Sequence, residues 1–158
     1  MNMAIRQIVV EGDEVLTKVC RPVEKFDQRL ADLLDDMWET LRDADGVGLA
    51  APQIGILRRA VIIDVGEGPI EMINPEFLEQ SGEQNLQEGC LSCPGDWGVT
   101  SRPAYVKVRA QNREGAFFEL EATELLAVAC CHEIDHLNGV LFKEHLVKDS
   151  NPQERELF

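Results

Sequence analysis

The segment AVACCHEIDHLNGVLF, residues 127–142, constrains this chain more than any other. From Thr123 to Gly139 the spacing predicts a helix of about four turns, with Thr123 as N-cap and Gly139 as the C′ residue. Up to His132 it is apolar nearly all round, so it has to run through a core rather than lie on one. His132 and His136 stand one turn apart and project from the same face. Buried together they bring four ring nitrogens that need partners, and one cation satisfies two of them at once.

Glu133 sits about 100° round the helix from His132, too far to be the natural third ligand but near enough to touch a water on a metal. This is the H-E-x-x-H logic of metal hydrolases, although so short a string also occurs on surface helices with incidental histidines. A catalytic site needs a third protein ligand and an open position. Downstream the pattern fails: Phe142 stands where a metzincin carries its third histidine, His145 is out of register, and Glu154 and Glu156 lie at the chain end. The ligand is therefore expected upstream, in QEGCLSCPG, where Cys90 and Cys93 form a C-x-x-C. Two readings stand: a closed Cys₂His₂ staple, or one thiolate with a fourth position left for water. A closed site leaves Glu133 without a task, and a chain of this size does not need a metal to hold its core. A redox role for the pair needs a helix start in a βαβ setting, whereas Pro94 and Gly95 follow it at once. Cys130 and Cys131 read as small buried residues pointing away from the histidines.

With 158 residues, 44% of them apolar, one domain spanning 1–158 is expected. Twenty-nine acidic residues against fifteen basic ones give a net charge of −14, and no stretch concentrates lysine or arginine, so direct nucleic-acid binding is not expected. Neither a basic leader nor a membrane-length apolar run is visible, which makes the cytoplasm the expected location. Five cysteines without an export signal argue against a disulfide framework.

Two further textures set the fold class. IRQIVV reads as an opening strand, and DQRLADLLDDMWETLRDAD (27–45) as an amphipathic helix with Leu30, Leu33, Leu34, Met37 and Leu41 on its apolar stripe. Its acidic flank, Asp32, Asp35, Asp36, Glu39 and Asp43, reads as solvated, and Trp38 as packing. From 58 to 121, the runs RRAVIIDV, PIEMINP, AYVKVRAQN and AFFELEA are separated by turn residues, with NREG as a hairpin turn. The expectation is an α+β fold: short, mostly antiparallel sheets around a central helix carrying HEIDH, with an N-terminal amphipathic helix. Between the first helix and first long strand, DGVGLAAPQIG (45–55) has the wrong spacing for a dinucleotide or phosphate loop. Its small residues allow close backbone approach, and Gln53 is its one polar side chain able to donate two hydrogen bonds.

Taken in order, GVGLAAPQ (46–53), EGCLS (88–92) and HEIDH (132–136) resemble the three signature motifs of the peptide deformylases. The resemblance extends over most of the chain. It implies removal of the formyl group from the N-terminal formylmethionine of nascent polypeptides, with one divalent metal ion held by Cys90, His132 and His136. Ferrous iron is the expected native ion, with zinc, nickel or cobalt as alternatives. Glu133 would serve as general base and then acid, while Gln53 and the backbone N–H of Leu91 meet charge on the formyl oxygen. Val47, Gly48 and Gly89 would lie against the extended peptide, and Leu125, Val128 and Ala129 would wall a methionine slot, though core packing accounts equally well for Leu125. Cys93 falls outside the motifs, which supports the open site. Glu88 is expected either to pair with Arg102 or to face solvent, and Trp97 to cap the core or border the cleft. The partners implied are formylmethionyl peptides and at most transient ribosome contact, since VKDSNPQERELF is short and roughly neutral where some members carry a long basic helix. The rivals are a zinc protease-like hydrolase of internal peptide bonds and a non-catalytic zinc-stapled module.

Overall fold

The computed structural model describes residues 4–147. Helix α1 (Gln28–Ala44) opens at Asp27, whose carboxylate accepts from the Leu30 amide, and closes at Asp45 in the left-handed conformation. Its predicted apolar stripe is buried throughout. Its acidic flank departs from expectation in part. Asp36 is only 5% exposed and grips the Arg6 guanidinium at 2.7 and 2.9 Å, while Asp35 takes Arg113. Asp36 thus docks the N-terminal segment and Asp35 the NREG turn, while Asp43 is exposed and Asp32 and Glu39 make exposed contacts along the helix, as a solvated flank should. The N-terminal segment, expected as a strand, forms no ladder. The Ala4 N–H donates to Asp36, the Arg6 N–H to Thr40 Oγ1 and the Val9 N–H to the Gln53 carbonyl, so an extended backbone is satisfied by helix side chains and a loop.

Five strands, β1 (Gly48–Ala50), β2 (Ala60–Ile63), β3 (Ile70–Ser81), β6 (Tyr105–Gln111) and β7 (Phe117–Thr123), make one antiparallel sheet in the order β1-β2-β3-β6-β7. Strands β4 (Gln84–Cys90) and β5 (Cys93–Arg102) form a separate hairpin. The predicted NREG turn closes β6 onto β7, the Gly115 N–H donating to the Asn112 carbonyl. Helix α2 (Glu124–Leu137) leaves β7 with no intervening loop, the bend being made by Glu124 at φ 53°. Thr123 holds the N-cap position as expected, but its side chain makes no capping bond.

Strand alternation decides which helix each residue meets. Val61, Ile63 and Met72 pack into the core that holds α2, whereas Ala60, Ile62 and Ile73 pack into the core that holds α1. The sheet thus separates the two helices. Leu126, Val128, Ile134 and Leu137 of α2 are all buried, each worth about 1.5–3 kcal/mol for the larger side chains. Gly139 ends the helix at φ 76°, and a Cβ there would lie 2.5 Å from the Thr17 carbonyl oxygen, so both conformation and space demand glycine. The architecture is α+β with antiparallel sheets around a central helix, as the sequence predicts. No described helix is long and apolar enough to cross a membrane. Glu154, Glu156 and the C-terminal tail lie outside the described residues.

Candidate metal centre

The last turns of α2 carry His132 and His136 with ring centroids 4.9 Å apart and planes at 74°. The end of β4 brings Cys90 to them, its Sγ lying 3.3 Å from His136 Nε2. One donor atom from each of Cys90, His132 and His136 falls within 4.8 Å of the other two, and all three residues are buried. Metal–sulfur bonds of about 2.3 Å and metal–nitrogen bonds of about 2.0–2.1 Å put tetrahedral ligand atoms roughly 3.5 Å apart, near the 3.3 Å between Cys90 Sγ and His136 Nε2. Cys93 is not in the group and packs beside Cys90 in a small buried cluster with Phe142. Among the described residues the donor set therefore has three members. Buried around it, His136 Nδ1 and both carboxylate oxygens of Glu133 have no hydrogen-bond partner among the described residues. Buried polar atoms are ordinarily satisfied, so this concentration marks a place built for something other than packing. A thiolate and two imidazoles suit iron, zinc, nickel or cobalt.

Behind the histidines lies a polar network of which the sequence disclosed one pair. Glu88 is fully buried and its Oε1 lies 2.8 Å from His132 Nδ1. Arg102 donates to the same carboxylate from Nε at 2.8 Å and Nη2 at 3.0 Å, and from Nη1 to Asp135 at 2.7 Å. The Thr100 hydroxyl also donates to Glu88, and His145 Nε2 lies 3.0 Å from Asp135. Of the two expectations for Glu88, the arginine pair is the one realised. Burial drives the Glu88 carboxyl upward, but hydrogen bonds from His132 and Arg102 outweigh it and hold it at about 2. An ionised Glu88 fixes the proton of His132 on Nδ1 and turns the lone pair of Nε2 toward Cys90 and His136, the usual outer support of a metal-binding imidazole. Asp135 was visible within HEIDH and Thr100 within β5, but neither carried a signal pointing to His132.

Glu133 faces the opposite way, toward the glycine stretch. A Cβ on Gly48 would sit 2.5 Å from Glu133 Oε2, so the glycine makes room for the carboxylate. Burial raises the Glu133 carboxyl to about 7, against an opposing pull from His132, while burial and then His132 drive His136 well below its ordinary value. Gln53 is buried: its Oε1 accepts from the Ala50 amide, and its Nε2 donates to Ser92 Oγ at 3.1 Å and reaches Cys90 Sγ at 3.6 Å. Leu91, next to Cys90, is half-buried beside Gly46, and Gly89 stands opposite Trp97 in the hairpin. Val128 and Ala129 are fully enclosed in the α2 core, with Val47 and Leu125 packed against it. Cys130 and Cys131 are buried, their thiols raised by burial to about 12.

Nearly the whole chain is similar to known proteins. The family model described as polypeptide deformylase matches residues 5–152. A peptide deformylase of Alkaliphilus metalliredigens is 58% identical over 147 residues, covering 93% of this chain and 100% of its own. One from Acetivibrio thermocellus is 55% identical over 98% of this chain and 91% of its own. The crystal structure of peptide deformylase from Thermotoga maritima superposes with a TM-score of 0.89 at 44% identity, covering 90% of this chain and 98% of that one. The enzyme from Ehrlichia chaffeensis in complex with actinonin gives 0.89 at 37%, covering 92% and 91%. Since the matched region takes in all three motifs and both helices, the chain belongs to the polypeptide deformylase family, metal-dependent hydrolases that remove the formyl group from N-terminal formylmethionine.

Proposed function

We propose that this chain deformylates nascent formylmethionyl peptides in the cytoplasm with Cys90, His132 and His136 as metal ligands and Glu133 as the group that moves the proton. The observation that carries this reading is the pairing of a buried Cys/His/His donor group with a neighbouring carboxylate that burial raises to about 7. A bound divalent ion, ferrous iron in our reading, supplies Lewis acidity toward the attacking water and the formyl oxygen. Glu133 accepts a proton from that water on a carboxylate oxygen as the water adds to the formyl carbon, then returns it to the departing amine nitrogen. A carboxyl poised near neutrality gives up and takes a proton with comparable ease. The Gln53 amide and the Leu91 N–H donate to the formyl oxygen as charge grows there. Glu88 and Arg102 keep His132 in one tautomer throughout. Val47, Gly48 and Gly89 flank the peptide, and Leu125, Val128 and Ala129 border the methionine side chain. Contact with the ribosome is transient in this reading.

Glu133→Gln tests it. Formate release from formyl-Met-Ala should fall by about a hundredfold or more, while metal content stays at the wild-type level. Turnover like the wild type would remove Glu133 from the chemistry. Activity lost in air and kept under anaerobic handling supports iron, and indifference to oxygen supports zinc or nickel.

A further inference from the structure

Cys93 has no part in that chemistry; it is buried in a small cluster with Cys90 and Phe142, whereas Cys20, Cys130 and Cys131 lie in the larger core that holds α2. Cys93 is the direct register partner of Cys90 across the β4–β5 turn. Opposed residues of an antiparallel pair project to one face with Cβ atoms about 4.5–5.5 Å apart, and a disulfide wants about 3.5–4.5 Å. Both side chains pack in one small buried cluster with Phe142. Only a small approach separates them from bonding. The chain beside Cys93 has slack for it: pairing steps from Cys90↔Cys93 to Gly89↔Trp97, leaving Pro94, Gly95 and Asp96 bulged and exposed, with Gly95 at φ 84°.

We propose that Cys90 and Cys93 form an oxidative modification site, which a peroxide closes into a reversible intramolecular disulfide. Both side chains are buried, at 0% and 2% exposure, so a bulky oxidised thiol is excluded, and hydrogen peroxide, little larger than the water this site must admit, is the oxidant of matching size. The Cys90 thiolate attacks one peroxide oxygen, the O–O bond breaks, hydroxide leaves, and sulfur is oxidised to the sulfenic acid. Cys93 then attacks the Cys90 sulfur, the S–O bond breaks, and the departing hydroxide takes the Cys93 proton as water. In sum, two thiols and one peroxide give one disulfide and two waters. The modification itself needs only the two sulfurs. Its consequence, release of the metal, rests on the reading of Cys90 as a ligand.

The test treats zinc-loaded protein with hydrogen peroxide, alkylates the remaining thiols after denaturation, and maps the peptides by mass spectrometry. The expected product is a peptide lacking two hydrogens, with Cys90 joined to Cys93 and Cys20, Cys130 and Cys131 alkylated. Dithiothreitol should restore both thiols. In Cys93→Ser and Cys93→Val, checked for folding by circular dichroism, Cys90 should instead accumulate three oxygens that dithiothreitol does not remove. Wild-type protein that gains three oxygens on Cys90 as fast as the variants, or that cross-links other cysteines, overturns the proposal. Should the variants fail to fold, the wild-type map decides alone. Zinc is read in parallel with a chromogenic chelator: release in step with the disulfide supports both readings, and complete disulfide with zinc retained supports the modification site while overturning Cys90 as a ligand.

Discussion

The protein builds one polar motif twice, at two depths. Beneath the candidate metal centre, Arg102 forks onto Glu88, reaches a second carboxylate on Asp135, and Glu88 also holds a ring nitrogen of His132. At the far end of the sheet Arg113 forks onto Glu71 at 2.9 and 2.6 Å, reaches Asp35 at 3.1 Å, and Glu71 holds the Trp38 indole N–H at 2.8 Å. The geometry is nearly the same. The Arg102 and Glu88 side chains are 2% and 0% exposed, whereas those of Arg113 and Glu71 are 31% and 19% exposed. Depth changes what the motif does. In water-screened surroundings it straps the β6–β7 turn to α1; buried, it leaves its charges no alternative partner and so dictates the protonation of a histidine.

The largest difference is expected on truncating the central carboxylate. Glu88→Ala leaves the buried Arg102 with Asp135 alone, which should cost about 3–5 kcal/mol and lower zinc affinity by about 10–100-fold. Glu71→Ala should cost about 1 kcal/mol or less and leave zinc affinity unchanged. Denaturant unfolding and competitive metal titration measure both, and equal losses for the two variants would break the comparison.

Acid should separate the motifs next. Glu88 titrates at about 2 in the folded protein against 4.5 for a free glutamate, so its contribution is fully present above pH 4.5, shrinks as pH falls, and is gone below about 2. The sum is on the order of 3 kcal/mol. Glu71 is lowered too, by hydrogen bonds from Arg113 and Trp38 acting against its burial, with the same sign and stronger solvent screening. In metal-free protein, Glu88→Gln should therefore flatten the loss of stability between pH 4.5 and 2 more than Glu71→Gln does. Glu133 carries the opposite sign. Its carboxyl is raised from 4.5 to about 7, so as pH rises across that window the unfolded chain ionises first and stability declines. Glu133→Gln should accordingly stabilise the metal-free protein at neutral pH while abolishing turnover, and a destabilised variant would contradict the buried, unpartnered carboxylate.

The buried motif was half legible in the sequence, the exposed one not at all. Both helices announced themselves because three-and-four spacing persists over many residues, and HEIDH placed the histidines and Glu133 without help from the fold. Glu88 and Arg102 were connected only as near neighbours in sequence. Their tie to His132 depends on the β4–β5 hairpin, which the sequence hid, because Pro94, Gly95 and Gly98 read as loop punctuation inside what is a bulged strand. Gly48 reads as lying against the peptide; that a Cβ there would also strike Glu133 is a relation between β1 and α2 that no local pattern records. Asp35 and Asp36 looked solvated for a similar reason: their partners, Arg113 and Arg6, are distant in sequence and meet them only once the chain closes.

The smallest expected effect sharpens the role of depth most directly. Lysine keeps the charge of arginine but loses the planar fork. Arg113→Lys retains one contact to Glu71 or Asp35 in a screened setting, so the change should be within about 0.5 kcal/mol and should vanish in molar salt, where the screening length falls to about 3 Å. Arg102→Lys has no water to complete the bonds it abandons, so Thr100 and His132 would be left to hold Glu88 and the penalty should persist unchanged at high salt. Unfolding curves of the two lysine variants at low and high sodium chloride provide the measurement. A salt-sensitive Arg102→Lys would mean that water reaches the buried motif, and the tautomer of His132 would then need a different explanation.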